Sequence, residues 1–164
     1  MFKSRPEVVL LVYGKGGHTA QMERFLKNQP TTDTPKEYIA LTNSNLSFSQ
    51  VKEYFFLMEA RNKYHWYVNV FIFMAYLLLA TCQVFRIFMK YKVVGMISTG
   101  PGLAVIPGIL CRLTGKKVVF FESWSRFFTP SIAGRLMHKI ASLFFIQHKS
   151  IKKFYPKSKY MGRL

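Results

Sequence analysis

The chain has 164 residues and a formal net charge of +17, from 24 lysines and arginines against 7 acidic residues. This length predicts one domain with a buried core, and so large a positive charge favours a polyanionic partner, either nucleic acid or an anionic membrane surface. Because 50% of the residues are hydrophobic and 16% are aromatic, a membrane-surface protein is favoured over a nucleic-acid binder. Cys82 and Cys111 form neither a zinc motif nor a disulfide framework, so we expect no metal site and a reducing cytosol.

Apolar runs without alternation, separated by helical patterns, predict an α/β fold with a Rossmann-like parallel sheet. The intervals 28–36 and 42–49 are polar and predict connections, and the pattern over 55–61 is ambiguous. Strands are predicted at 8–13, 38–41, 93–97, 117–121 and 143–146, and helices at 18–26, 103–113 and 131–142.

Residues 66–85 form a run without a charged side chain, long enough to cross a bilayer as a helix. Basic residues flank both ends, and the strands on either side must join one sheet, so a helix in the membrane interface at about 66–89 is favoured over a simple crossing. The alternative is a buried helix that covers the sheet. In the first case the residues predicted to contact the membrane are Trp66, Tyr67, Phe71, Phe73, Leu77, Leu78 and Phe85.

Two glycine-rich turns each follow a predicted strand, at 14–19 and 98–102. Glycines let the backbone approach an oxyanion closely, and a following helix N-terminus adds N–H groups and a positive dipole end. The first turn has neither the dinucleotide nor the Walker spacing, and the second could equally be an ordinary capped strand-to-helix turn. The predicted phosphate or acceptor contacts are Gly14, Lys15, Gly16, Gly17, Thr19, Ser98, Thr99, Gly100, Gly102, Ser123 and Arg126.

Two residues are candidates for acid–base chemistry. His18 lies at a predicted helix N-terminus, which favours a neutral imidazole able to accept a proton; the alternative is a helix cap or a spacer in the turn. Glu122 directly follows Val-Val-Phe-Phe, and an apolar setting suits a carboxyl group to general acid–base work. The alternative for Glu122 is a structural carboxylate paired with Arg126 or with a backbone turn.

Four segments resemble the Alg14 family and its bacterial PssD-like relatives. They are Gly-Lys-Gly-Gly-His-Thr at 14–19, Ser-Thr-Gly-Pro-Gly at 98–102, Phe-Glu-Ser-Trp-Ser-Arg at 121–126 and Phe-Tyr-Pro-Lys-Ser-Lys-Tyr-Met-Gly-Arg-Leu at 154–164. They occur in the family's order, and the resemblance covers residues 8–164. It implies that residues 1–164 form a single domain equivalent to the N-terminal half of a GT-B glycosyltransferase.

The resemblance also implies a function. Such a chain is the membrane-anchoring, acceptor-binding half of an inverting enzyme that adds the second sugar to a polyprenyl-diphosphate-linked monosaccharide. An Alg13-like (PssE-like) subunit binds the UDP-sugar donor, so this chain needs no cofactor and is inactive alone. Gly16, Gly17, His18 and Glu122 line the family's cleft. The tail docks the catalytic subunit, which carries over to Tyr155, Pro156, Tyr160, Gly162, Arg163 and Leu164.

Two departures from the family affect these expectations. Lys15 stands where family members usually have a small residue. Eukaryotic members typically begin with a transmembrane helix, and we find none here, so attachment would fall to residues 66–85 and the basic surface, on the cytoplasmic face of a membrane and most simply a bacterial plasma membrane. The first alternative function is a non-catalytic membrane scaffold. A nucleic-acid-binding domain is not favoured, because the lysines are spread out and no known recognition motif is present.

Overall fold

The computed structural model describes residues 5–29, 37–57 and 68–164, with side chains described from Met74 onward in the helix that begins at Val68. These residues form a seven-stranded sheet in which every strand pair is parallel. The strand order is β3-β2-β1-β4-β5-β6-β7. The strands are β1 (Glu7–Tyr13), β2 (Glu37–Thr42), β3 (Val51–Phe56), β4 (Lys92–Ser98), β5 (Lys117–Phe121), β6 (Leu143–Ile146) and β7 (Lys159–Tyr160).

In the described ranges, four α-helices cover the two faces of the sheet. They are α1 (Gly17–Lys27), α2 (Val68–Lys90), α3 (Val105–Leu113) and α4 (Ile132–Ile140), with short 3₁₀ turns at Gly102–Ala104 and Lys149–Phe154. On one face Met22 of α1 packs in a cluster with Leu11 of β1. On the other face Leu10 of β1 belongs to a larger core shared with α2, α3 and α4. Burial on both faces explains why the strands read as continuous apolar runs.

The chain reverses its direction of travel across the sheet between β1 and β4. From β1 it moves outward through β2 to β3, and it then returns to β4, which pairs with β1 on the other side. In open α/β sheets ligands bind beyond the carboxyl ends of the strands at such a switch point. The two glycine-rich turns follow β1 and β4, so the topology places both at the position where this fold binds ligands.

Helix α2 has two apolar faces with different surroundings. Tyr76, Ala80, Val84 and Ile87 are buried in the core beneath it, whereas its outer face carries large apolar side chains exposed to solvent. A fully buried helix is therefore wrong for the described part of this segment. The exposed outer side chains are Met74, Leu78, Leu79, Phe85 and Met89.

Some of the predicted membrane contacts can be located on α2. Leu78 and Phe85 lie on its exposed face and Leu77 is half-buried. Trp66 and Tyr67 lie outside the described residues. Phe71 and Phe73 belong to the helix, but only their backbone is among the described parts. Within the part of the chain that the structure describes, no helix combines the length and the apolarity needed to span a bilayer.

The predicted elements agree with the observed ones except at the two edges of the sheet. All five predicted strands are present, as are the helices, although the one predicted at 103–113 begins as a 3₁₀ turn. The edge strands β3 and β7 were not predicted. β3 contains Lys52 and Glu53 and is only half-buried, and β7 has two exposed residues, so neither shows an apolar run.

Candidate functional site

A cavity of about 740 Å³ lies beyond the carboxyl ends of β1, β4 and β5. It brings together residues from both glycine-rich turns and from the segment 121–126. Asn43, Ser125 and Ser131 are polar lining residues that sequence reasoning missed. The predicted site residues that line it are Lys15, His18, Gly100, Gly102, Glu122, Ser123 and Arg126.

His18 is held by two reciprocal hydrogen bonds to Thr99. Its Nδ1 lies 2.7 Å from the Thr99 carbonyl oxygen, and the Thr99 hydroxyl donates to the His18 carbonyl oxygen at 2.8 Å. A carbonyl oxygen only accepts hydrogen bonds, so Nδ1 carries the proton and the Nε2 of the neutral ring keeps its lone pair. Burial is the main cause that lowers the pKa of His18 below its ordinary value of 6.5, and it therefore favours this neutral form.

The close packing of the two glycine-rich turns requires a glycine at position 100. Gly100 has a φ of 85°, and a Cβ there would lie 2.8 Å from His18 Cε1. Both the backbone conformation and the space therefore exclude a side chain. The remaining predicted residues of these turns are not among those that line the cavity: Gly16 and Gly17 are exposed to solvent, and the others are buried behind the lining. Gly14 accepts a hydrogen bond from the Thr19 hydroxyl at 2.6 Å, and Ser98 and Thr99 are buried.

Asn43 fixes the start of the first turn. Its side-chain oxygen accepts a hydrogen bond from the backbone N–H of Lys15 at 3.0 Å. That N–H is therefore not free for a phosphate, whereas the Lys15 side chain is exposed at the edge of the cavity. Asn43 directly follows Thr42, the last residue of β2. A polar side chain at the carboxyl end of a strand is the sequence feature from which Asn43 could have been predicted to lie at the site.

Glu122 is buried, and its carboxylate is surrounded by donors. Its Oε1 accepts from the backbone N–H of Ser123 and from the Ser131 hydroxyl, both at 2.9 Å, and its Oε2 accepts from the Tyr155 hydroxyl. Ser131 in turn caps α4 by accepting from the N–H of Gly134 at 2.8 Å. No ion pair joins Glu122 to Arg126 among the residues that the structure describes. Glu122 thus links β5, the start of α4 and the tail, as a structural carboxylate would.

The cavity is lined by both polar and apolar side chains. Lys15, His18 and Arg126 provide its cationic and proton-accepting groups. Most of the apolar lining comes from α2, the 3₁₀ turn before α3, α3 itself and α4, and the Tyr76 hydroxyl donates to the Leu103 carbonyl oxygen at 3.0 Å, which ties α2 to this 3₁₀ turn. An amphiphilic ligand with an anionic group fits such a lining. The apolar residues are Tyr76, Pro101, Leu103, Val105, Ile106, Phe120, Ile132, Ala133 and Leu136.

The tail lies against the body of the domain. Tyr155, predicted to bind a partner, instead has a completely buried side chain that serves the Glu122 network. Pro156, Tyr160 and Arg163 are exposed, and the guanidinium of Arg163 lies 4.0 Å from the ring centre of Trp124.

Gln147 connects the last residue of the tail to the strand edge. Its side-chain oxygen accepts from the Leu164 N–H, and its side-chain nitrogen donates to the Glu122 carbonyl oxygen, both at 2.9 Å. Gly162, between Tyr160 and Leu164, is half-buried. The tail therefore contacts the same network that supports the cavity.

Comparison with known proteins identifies the family. Residues 9–164 match the family described as "Oligosaccharide biosynthesis protein Alg14 like". This chain belongs to the Alg14 family. The resemblance drawn from the four sequence segments is thereby confirmed, and the matched region includes both glycine-rich turns, the Glu122 network and the tail of this Alg14-family chain.

Similar proteins include the UDP-N-acetylglucosamine transferase subunit ALG14 of Mus musculus, 25% identical over 95% of this chain and 82% of its own length. The protein of the same name from Saccharomyces cerevisiae is 25% identical over 98% of this chain and 78% of its own length. Among solved structures, Acinetobacter baumannii MurG superposes with a TM-score of 0.56 at 13% identity, over 86% of this chain and 41% of MurG. This Alg14-family chain thus has the predicted Rossmann-like fold of one half of a GT-B glycosyltransferase, and spans about two fifths of the length of MurG.

Proposed function

We propose that this chain is the acceptor-binding, membrane-associated subunit of a two-chain glycosyltransferase. Two of its relatives are named as subunits of a UDP-N-acetylglucosamine transferase, which supports a sugar-transfer role that depends on a second polypeptide. In this proposal an Alg13-like (PssE-like) subunit binds the UDP-sugar and completes the GT-B architecture. The observation that carries the proposal is the cavity at the switch point, where a neutral histidine faces an amphiphilic lining.

In the proposed reaction, His18 acts as the general base. The hydroxyl of a polyprenyl-diphosphate-linked monosaccharide attacks the anomeric carbon of the UDP-sugar while Nε2 of His18 accepts the hydroxyl proton. The new glycosidic bond forms as the bond to UDP breaks, with inversion at the anomeric carbon. The hydrogen bond from Nδ1 to the Thr99 carbonyl supports this assignment, because it leaves Nε2 as the proton acceptor.

The charged and the apolar lining residues of the cavity suit the two ends of such an acceptor. Lys15 and Arg126 would neutralise the diphosphate through charge-assisted hydrogen bonds. The apolar lining residues would accommodate the first isoprene units of the lipid. Glu122, the other candidate base, is better suited to holding α4 and the tail in place, because its carboxylate already accepts from Ser123, Ser131 and Tyr155.

Membrane association would use the outer face of α2. This helix exposes a row of large apolar side chains, including Leu78 and Phe85, and the chain carries a net charge of +17. An apolar helix face on a strongly basic protein is the combination that binds at an anionic lipid interface. We place the protein on the cytoplasmic face of a membrane, with a bacterial plasma membrane as the first choice.

The test is sugar transfer by this chain co-expressed with an Alg13-like subunit, using a lipid-linked monosaccharide acceptor and labelled UDP-sugars, with UDP-N-acetylglucosamine first. Transfer that needs both chains is expected. His18→Gln should lower kcat about 10²- to 10⁴-fold, the usual contribution of a general base. Full activity of that variant would instead identify this chain as a non-catalytic scaffold. Absence of transfer by the wild-type pair with every UDP-sugar would contradict the proposed function.

A further inference from the structure

We propose that a second surface, beside the mouth of the cavity, docks onto an anionic lipid bilayer. This surface, the α4 rim, consists of Phe127, Phe128, Ile132 and Leu136 together with the cations Arg126, Arg135 and Lys139. It lies on the β5–α4 connection and the exposed side of α4, apart from the outer face of α2. The proposal rests on the proposed function only in that the acceptor is taken from a bilayer, and bilayer binding can be measured without sugar transfer.

The apolar part of the α4 rim is unusually exposed. Phe128 has 80% and Ile132 has 82% of its surface accessible to solvent, and Phe127 and Leu136 are also exposed. Ile132 and Leu136 are four residues apart on α4 and therefore lie on one face of the helix. Both of them also line the cavity, so this apolar surface continues from the outside of the domain into the proposed site.

The connection that presents these side chains is held in place by hydrogen bonds. The backbone N–H of Arg126 donates to the Ser123 carbonyl oxygen at 3.0 Å, and the hydroxyl of Ser150 donates to the Phe127 carbonyl oxygen. The imidazole of His148 packs against the Phe127 ring with 4.0 Å between ring centres. These contacts hold the connection in the conformation that exposes the Phe128 side chain to solvent.

The charged side chains that follow Glu122 along the chain are all of one sign. From residue 123 to the end of the chain the sequence contains lysines and arginines but no aspartate or glutamate. The described ion pairs all join residues between Glu7 and Lys92, so none of them involves a cation of the α4 rim. The basic residues of this part of the chain are Arg126, Arg135, Lys139, Lys149, Lys152, Lys153, Lys157, Lys159 and Arg163.

The α4 rim combines exposed apolar side chains with cations that take part in none of the described ion pairs. The apolar side chains match the acyl chains of a bilayer, and the cations match its anionic headgroups. Phe128 and Ile132 would enter the boundary between headgroups and acyl chains, while Arg135 and Lys139 would contact lipid phosphates. A nucleic acid would satisfy the cations but would leave the aliphatic side chains in water. Contact at this position would bring the mouth of the cavity to the bilayer, so that a lipid-linked acceptor could enter without leaving the membrane.

The test is flotation of the full-length protein with vesicles of phosphatidylcholine, with or without phosphatidylglycerol. The double variant Phe128→Ser/Ile132→Ser should lower partitioning to anionic vesicles at least tenfold. It lacks the two large apolar side chains whose transfer from water into the bilayer would stabilise binding. Leu113→Ser is the matched control, because Leu113 is 78% exposed but lies at the far end of α3, where that helix leads into the start of β5. It should bind like the wild type. Arg135→Gln/Lys139→Gln should lose roughly fivefold per charge, on anionic vesicles only.

A positional readout separates direct contact from an indirect effect of the substitutions. Cys111 is buried and Cys82 is the exposed cysteine, so in a Cys82→Ser background a new cysteine can be labelled selectively with a polarity-sensitive fluorophore. The label at Phe128→Cys should shift to shorter wavelength on anionic vesicles, and the label at Leu113→Cys should not. Thermal unfolding of each variant excludes loss of the fold.

Two results would overturn this proposal. One is wild-type vesicle binding by Phe128→Ser/Ile132→Ser together with an unshifted label at position 128. The other is a variant that binds vesicles normally but no longer co-purifies with the catalytic subunit, which would make the α4 rim a protein interface. Sugar transfer in detergent with a short-chain acceptor is measured separately. If the wild-type pair shows no transfer while vesicle binding still depends on Phe128 and Ile132, the proposed function fails and the docking surface stands.

Discussion

His18 and Thr99 are joined by two hydrogen bonds that run in opposite directions, ring N–H to carbonyl at 2.7 Å and hydroxyl to carbonyl at 2.8 Å. The pair connects the turn after β1 to the turn after β4. These are the neighbouring strands at which the strand order of the sheet reverses. The bond from the ring N–H sets the tautomer of the imidazole. The bond from the Thr99 hydroxyl holds the backbone of His18 in place. The proposed base is thus oriented by main chain, and no carboxylate is needed for this purpose.

The hydroxyl of Thr99 should matter for the rate of the proposed reaction. Thr99→Val keeps the carbonyl oxygen that accepts the hydrogen bond from His18 Nδ1–H but removes the bond from the Thr99 hydroxyl. We therefore expect kcat to fall about five- to tenfold, the value of one net hydrogen bond, with KM nearly unchanged. Thr99→Ser keeps the hydroxyl and serves as the matched control. Steady-state kinetics of the two-chain enzyme measures both, and equal kcat values for valine and serine would contradict the positioning role of Thr99.

The reaction should have an acid limb that reflects His18. Burial lowers the pKa of His18 below 6.5, so the imidazole is neutral at pH 7 and the inflection in kcat should lie below 6.5. The pH dependence of kcat measures it. An inflection above 6.5 would show that His18 is not the titrating base, and the profile of His18→Gln, whose residual rate should lack this limb, provides the comparison.

The same lowered pKa affects folding stability. In the unfolded chain His18 titrates near 6.5 and in the folded protein it titrates lower, so the unfolded state binds more protons as the pH falls. Stability is therefore present above 6.5 and is lost as the pH falls through the folded pKa. His138, whose pKa is lowered mainly by burial, acts in the same direction. Thermal unfolding between pH 7 and 5 should show a smaller loss for His18→Gln than for the wild type.

Tyr155 should contribute to stability through Glu122. Burial first, and the neighbouring carboxylate next, raise the pKa of Tyr155, so its hydroxyl remains a donor to Glu122. Tyr155→Phe removes one donor from a buried carboxylate and should cost about 1–3 kcal/mol in the free energy of unfolding. Tyr160→Phe, the same change at an exposed tyrosine of the tail, should cost less than about 0.5 kcal/mol. Urea denaturation distinguishes them, and equal losses would remove Tyr155 from the network.

The outer face of α2 can be tested at a native residue. Cys82 is exposed and lies four residues from Leu78 and three from Phe85, hence on the same face of the helix. A polarity-sensitive label on Cys82 of the wild-type protein should shift to shorter wavelength when anionic vesicles are added. An unshifted label would exclude this face as the membrane contact, whatever the result at Phe128.

The sequence allowed the central fold to be predicted because β1, β4 and β5 are continuous apolar runs that end in polar turns. It also indicated His18, since a histidine after a glycine turn is placed by local geometry. The partners of Glu122 could not be predicted in the same way. Ser131 and Tyr155 are 9 and 33 residues away along the chain, and only tertiary packing brings them to one carboxylate. Tyr155 looked like a surface residue of a basic tail for the same reason.

The distribution of charge along the chain leaves the segment that follows Glu122 with positive side chains only. Glu7 and Glu37 stand at the starts of β1 and β2, Glu53 lies in β3 next to Lys90, and each of them has a lysine partner. Arg126 and Arg135 of the α4 rim take part in none of the described ion pairs. An anionic surface exerts a torque on such a body before any contact is made, within about 10 Å at 0.1 M salt. Added salt should therefore reduce the frequency of correctly oriented encounters, so the cavity would reach the lipid less often as ionic strength rises.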